Sequence, residues 1–212
     1  MENLAFKQQL AEYLLKIQAV KLQPNEPFTW ASGWQSPIYC DNRKILSHQD
    51  VRTYVKNGLC DLINAYFSDV DCIAGVATAG IAHAALVADA LNLPMVYVRS
   101  SAKSHGLANL IEGELRHGSR VVVIEDTIST GGSSMKAIKD LRHAGAEVIG
   151  LMAIFKYGFQ VSKDLFHNEG VVVKTLTNYA TLLEVAKKQA LISENDLESL
   201  NLWQESPSSW NN

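Results

Sequence analysis

Five short apolar runs, separated by helix-like stretches, restrict the fold more than any other feature of the chain. They are CIAGV (72–76), MVYVR (95–99), VVVIED (121–126), VIGLMAIF (148–155) and VVVKTL (171–176). Short, mostly apolar runs read as strands buried on both faces. Interleaved with helices, they predict an α/β fold with a parallel sheet covered on both sides. Helices are expected over 81–91 and 135–143, with 178–189 and 193–203 closing the chain. Upstream, Leu10, Leu14 and Ile17 have helical spacing, and Ser47 followed by Asp50 resembles a capping box opening a second helix to about Tyr66. The aromatic, Gly- and Pro-containing segment 28–43 reads as short strands and turns. The polar stretch 100–119 has no clear periodicity, and the tail from Ser206 is expected to fray.

Composition excludes several classes of function. The 212 residues are 47% hydrophobic and 19% charged, which suits one folded unit with a real core. A net charge of −3 argues against a general nucleic-acid binder, although a local basic patch can still hold an anion. Cys40, Cys60 and Cys72 have no CxxC spacing, so a reducing compartment is expected and not a disulfide framework or zinc site. The start of the chain has no basic-then-apolar leader pattern, and no run is long and apolar enough to span a membrane. The expected location is cytoplasmic, with neither nucleic acid nor membrane as a partner.

The chemistry concentrates in VVVIEDTISTGGSS, residues 121–134. A buried strand ends in two carboxylates, Glu125 and Asp126, and a stretch of hydroxyls and glycines leads into a helix. Gly131 and Gly132 allow the backbone to turn and bring N–H groups near an anion. Those groups and the helix N-terminus form a phosphate cradle, to which Thr127, Ser129, Thr130, Ser133 and Ser134 can add hydroxyls. Two carboxylates repel a phosphate, so they fit a neutral partner such as a ribose diol. The segment is neither a Walker A motif nor a dinucleotide fingerprint, because GK[ST] and GxGxxG are both absent.

This run resembles the 5-phosphoribosyl 1-pyrophosphate loop of type I phosphoribosyltransferases. Three further segments resemble the orotate phosphoribosyltransferases of that family. FTWASGWQSPIYCD matches their N-terminal flap, GVATAGI (75–81) their pyrophosphate loop, and YVRSSAKSHGLANLIEG (97–113) their mobile catalytic loop. The resemblance covers roughly residues 1–190, in the family's order. It departs at Ala31, Ala79 and Ser100, where some members carry basic residues, and at Lys156, where many carry Arg.

The resemblance implies a type I phosphoribosyltransferase-like parallel sheet flanked by helices, with a small N-terminal flap or hood. Residues 1–66 would form the N-terminal helices and flap, 67–190 the core, and 191–212 a C-terminal helix and tail, all within one structural domain. The implied reaction joins orotate to 5-phosphoribosyl 1-pyrophosphate, giving orotidine 5′-monophosphate and pyrophosphate. Lys103, His105 and Asp126 would be catalytic. The sugar diphosphate would be held by Arg99, Lys103, His105, Glu125, Asp126, Thr127, Ile128, Ser129, Thr130, Gly131, Gly132 and Ser133. Orotate would meet Ser129 and a cation for its carboxylate, Lys156 or Arg43. Mg²⁺ would arrive with the substrate, and a homodimer would share its lid loops between subunits. The alternatives are a phosphoribosyltransferase for a purine base and a non-catalytic regulator sensing the sugar diphosphate. The flap argues against the first. The retained Lys103 and His105, and the absence of an added basic module, argue against the second.

Overall fold

The computed structural model describes residues 4–29, 35–101 and 110–210. The N-terminal part contains α1 (Leu4–Lys16), β1 (Val20–Leu22), β2 (Phe28–Thr29), β3 (Gln35–Ser36), β4 (Ile38–Cys40), a 3-10 helix (Asn42–Ser47) and α2 (Gln49–Tyr66). The core follows with β5 (Cys72–Val76), α3 (Ala79–Leu91), β6 (Met95–Val98), β7 (Ile111–Glu112), β8 (Arg120–Ile128), α4 (Gly132–His143), β9 (Glu147–Lys156), α5 (Gln160–Asn168) and β10 (Val173–Asn178). Helices α6 (Tyr179–Lys188) and α7 (Glu194–Glu205) complete the chain. Among the described residues, no helix is long and apolar enough to cross a membrane.

The central sheet has the order β10-β9-β8-β5-β6-β7, parallel except for β7, which pairs antiparallel with β6. From β5 the chain moves outward to β6, then returns to add β8 on the other side of β5. Connections from β5 and β8 therefore leave toward opposite faces. Val122 and Ile124 of β8 pack with Ala84, Val87 and Ala88 of α3, while Val121 and Val123 pack with Met135, Ile138 and Leu141 of α4. In open α/β sheets, this reversal leaves a crevice beyond the carboxyl ends of the two strands.

A hood covers that end. It consists of β1 paired with β4 and β2 paired with β3, both antiparallel. The larger core joins it to the sheet through Leu10 and Leu14 of α1, Ile38 of β4, Leu59 and Ile63 of α2, and Trp203 of α7. Helix α7 is a support for the hood. Trp203 is fully buried among Tyr157, Phe159 and Tyr179, and its indole N–H donates to the Gln35 carbonyl at 3.2 Å.

Several expectations need correction. Ser47 ends the 3-10 helix; α2 is capped by the His48 backbone position and has no side-chain cap bond. The real capping box opens α7, where Ser193 and Asp196 satisfy each other's backbone N–H. Helix α5 was not anticipated, because its apolar positions Leu165 and Phe166 sit among polar ones. The stretch expected to lack structure contributes β7, held to the sheet edge by the Arg99 N–H to Leu110 carbonyl bond at 2.8 Å. The described part of the tail forms a turn rather than fraying: the Trp210 N–H donates to the Ser206 carbonyl at 3.1 Å, and its ring packs on the core.

Candidate functional site

The site begins where period-two alternation fails. Val121 and Val123 face α4, Val122 and Ile124 face α3, yet Ile128 returns to the α4 side. Strict alternation would place Ile128 with Ile124. The strand must therefore rotate across Glu125, Asp126 and Thr127. It also runs to Ile128, two residues beyond the expected end. Ile128 is accordingly a core side chain, 2% exposed, and can offer a ligand only backbone.

The two acids have different environments. Glu125 is 5% exposed; its carboxyl accepts from the Ser134 hydroxyl at 2.9 Å and from the Asp126 N–H at 3.2 Å. Burial, followed by the nearby charge of Asp126, pushes the Glu125 carboxyl well above the ordinary glutamate range. Asp126 is half-buried and is the more open of the pair. The two acids of the motif are thus not equivalent, and neither are its serines. Ser134 lies inside the first turn of α4, fully buried, with its hydroxyl committed to Glu125.

Helix α4 starts earlier than expected, and that places the cradle. Gly131 caps it at φ 85°, a left-handed conformation suited to glycine. A Cβ there would also lie 2.8 Å from the Phe166 ring. Thr130, Gly132 and Ser133 are exposed around the helix N-terminus, with Ser129 half-buried beside them. The first turn carries no acid, so its free N–H groups and dipole present positive potential to an anion. Across the crevice, Ala77 and Thr78 link β5 to α3 through a cis peptide. Gly80 has a packing role that its sequence position conceals. A Cβ on it would stand 2.5 Å from the Ile124 carbonyl, so a bulkier residue would separate α3 from β8.

The candidate cations are dispersed. Arg99 donates to Glu112 at 3.3 Å at the sheet edge. Arg43 binds Asp41 at 2.6 Å, and this pairing holds the Asp41 carboxyl below its usual range. Lys156 ends β9 and lines a surface cavity of about 230 Å³ with Ile128, Lys163 and Phe166, on the α5 side. Lys103 and His105 lie outside the described residues, as does the flap segment 30–34. Sequence reasoning missed Asn42 and His83, which are buried beside the acidic strand end. The only signal for His83 was one polar residue within the apolar run IAHAAL.

A strand–turn–helix anion cradle with one open carboxylate, set at a sheet reversal, defines a sugar-phosphate transfer site. Residues 43–181 match the phosphoribosyl transferase domain family. An orotate phosphoribosyltransferase of Bacteroides thetaiotaomicron is 57% identical, over 99% of this chain and 98% of its own length. One from Listeria monocytogenes is 53% identical, over 98% and 99% respectively. The crystal structure of orotate phosphoribosyltransferase from Aeropyrum pernix superposes with a TM-score of 0.75 at 29% identity, covering 87% of this chain and 99% of that one. The chain belongs to the orotate phosphoribosyltransferase family.

The buried acid has a measurable signature. Below the ordinary glutamate value of 4.5, the folded and unfolded chains are both protonated at this position. Above it the unfolded chain ionises first while the folded one keeps its proton, so this group lowers stability as pH rises toward its raised folded value. Glu125→Gln removes that dependence. In urea titrations from about pH 5 to about pH 8, the variant should gain stability relative to the native protein. A difference that stays constant with pH would contradict the assignment.

Proposed function

We propose that this chain transfers the 5-phosphoribosyl group of 5-phosphoribosyl 1-pyrophosphate to orotate, giving orotidine 5′-monophosphate and pyrophosphate in pyrimidine biosynthesis. The observation that carries the reading is the β8–α4 turn. It sets an open carboxylate, Asp126, beside the uncompensated N-terminus of α4 at the sheet reversal. The 5′-phosphate sits on the N–H groups and hydroxyls of Ser129, Thr130, Gly132 and Ser133. Asp126 accepts from the ribose hydroxyls and fixes the sugar's orientation. The bond from the anomeric carbon to diphosphate breaks, the diphosphate leaves with the electron pair, and the orotate ring nitrogen forms the new bond as it loses its proton. Arg99, Lys103 and His105 supply positive charge where the diphosphate separates. Ser129 contacts orotate, and Arg43 or Lys156 takes its carboxylate.

Mg²⁺ fits this donor set as a companion of the substrate. Among the described residues, no group of three or more His, Cys, Asp or Glu side chains is arranged to hold a metal. The open carboxylate of Asp126 would help hold such an ion, which prefers oxygen ligands and keeps its waters. When bound, it supplies charge that offsets the leaving group's. The free thiols of Cys40, Cys60 and Cys72 suit the reducing conditions of the cytoplasm.

Mixing protein, Mg²⁺, the sugar diphosphate and orotate should lower the ultraviolet absorbance of orotate, with little turnover of adenine, hypoxanthine or uracil. Equal activity on a purine base would overturn the assignment.

We further propose a homodimer in which the lid bearing Lys103 and His105 covers the neighbouring subunit's site. A sugar cation formed in the open would be captured by water, so the lid must close during transfer and reopen for release. Lys103→Ala and Asp126→Asn proteins should each be strongly impaired. After random subunit exchange, activity should recover to about a quarter of native, since half the dimers are mixed and each has one intact site. No recovery despite demonstrated exchange would show that lid and cradle act within one chain.

A further inference from the structure

A polar side chain from the 3-10 helix that leads out of the hood is buried beside the acidic strand end. Asn42, the first residue of the 3-10 helix, is fully buried. Its Nδ2 donates to the Asp126 carbonyl at 3.0 Å and to Thr127 Oγ1 at 2.9 Å. The orientation of the amide follows from chemistry, because the Asp126 carbonyl can only accept. Both Nδ2 hydrogens are thereby used.

The remaining bonds follow in one direction. Thr127 Oγ1 accepts from Asn42, so its single proton is free to point at Asp126 Oδ2, 3.2 Å away. Cys40 Sγ lies 3.6 Å from the same hydroxyl. Burial pushes the Cys40 thiol up to about 12, so it stays protonated, and its sulfur competes for the Thr127 proton only as a weak acceptor. The path Asn42 → Thr127 → Asp126 therefore has one consistent sense and ends on the open carboxylate.

Asn42 is an expensive choice for packing alone. Among the described residues its buried Oδ1 has no hydrogen-bond partner, nor has Nε2 of His83 on α3, whose imidazole meets the Asn42 backbone. An apolar side chain would carry no orphaned acceptor. The arrangement is explained if the Nδ2 contacts matter more than the cost of Oδ1.

We propose that Asn42 is a positioning residue for the transfer: acting through Thr127, it fixes the Asp126 carboxylate that receives the ribose hydroxyls, and so couples the hood to the phosphate cradle. The proposal rests on the phosphoribosyl-transfer reading above.

The test compares native protein with Asn42→Asp, Thr127→Val, Thr127→Ser and the Asn42→Asp/Thr127→Val double variant. Orotate turnover and thermal unfolding are followed together. Asn42→Asp keeps the shape and loses the donor. Each of Asn42→Asp and Thr127→Val should lower kcat/KM for the sugar diphosphate by on the order of tenfold to a hundredfold, as loss of an outer-shell partner does. KM for orotate should move less than KM for the sugar diphosphate. The double variant should be no worse than the weaker single one, since both changes remove one path. Thr127→Ser, which restores the hydroxyl, should recover most of the loss.

Additive losses in the double variant overturn the proposal, as does native-like kcat/KM in folded Asn42→Asp. A loss explained entirely by unfolded protein, with KM unchanged, also overturns it. If Asn42→Asp does not fold, the Thr127 pair decides: equal damage from Val and Ser refutes the path. Absence of turnover by the native protein would strike the functional reading instead.

Discussion

A carboxyl group inside a protein is costly unless it keeps its proton or its hydrogen bonds. Glu125 meets that requirement at the end of β8, where its two oxygens accept from the Ser134 hydroxyl and the Asp126 N–H. The Ser134 bond joins the end of β8 to the first turn of α4. Glu125 is turned inward toward Ser134 while Asp126 is the more open acid, and beside them Gly131 takes a left-handed backbone against the Phe166 ring. The anion cradle is the external face of the same turn. Loss of the Ser134 contact would remove a support behind that face, and such sites depend on the shell that holds them.

The hood depends on the opposite end of the chain. Trp203 donates to the Gln35 carbonyl, and Gln204 donates to the Tyr157 carbonyl at 2.6 Å. The segment that covers the crevice is therefore stabilised by α7, with aromatic rings filling the space between. A helix that looked like an appendage in the sequence is part of the site's scaffold.

The buried strands were legible because each contains a short apolar run, although β10 starts two residues later than its run, at Val173, and ends in polar residues; VVVIED announced both a strand and its acidic end. The strand order was not legible: periodicity shows which residues are buried but not which strand lies beside which. The switch between β5 and β8 therefore emerged only from the pairing of Gly75 with Ile124. Ser134 and Ser133 are neighbours of the same type, and only the helix start decides that one is buried and the other exposed. Ile128 was grouped with ligand residues because the motif continues through it, whereas the strand does too. Asn42 carried no signal, since a buried asparagine and a surface turn asparagine are written alike. The packing need at Gly80 was equally hidden, since the Ile124 carbonyl that leaves no room for a side chain there belongs to a strand distant in sequence.

The central claim is that Asp126, and not Glu125, presents its carboxylate to the ribose. Steady-state kinetics of Asp126→Asn, with the sugar diphosphate varied, tests it most directly. Hydrogen bonds to charged groups are worth about 1.5–3 kcal/mol, and each ~1.4 kcal/mol is a factor of ten. The account predicts that kcat/KM for the sugar diphosphate falls about tenfold to a hundredfold, while thermal unfolding stays close to native. A folded Asp126→Asn protein with native kcat/KM would contradict it.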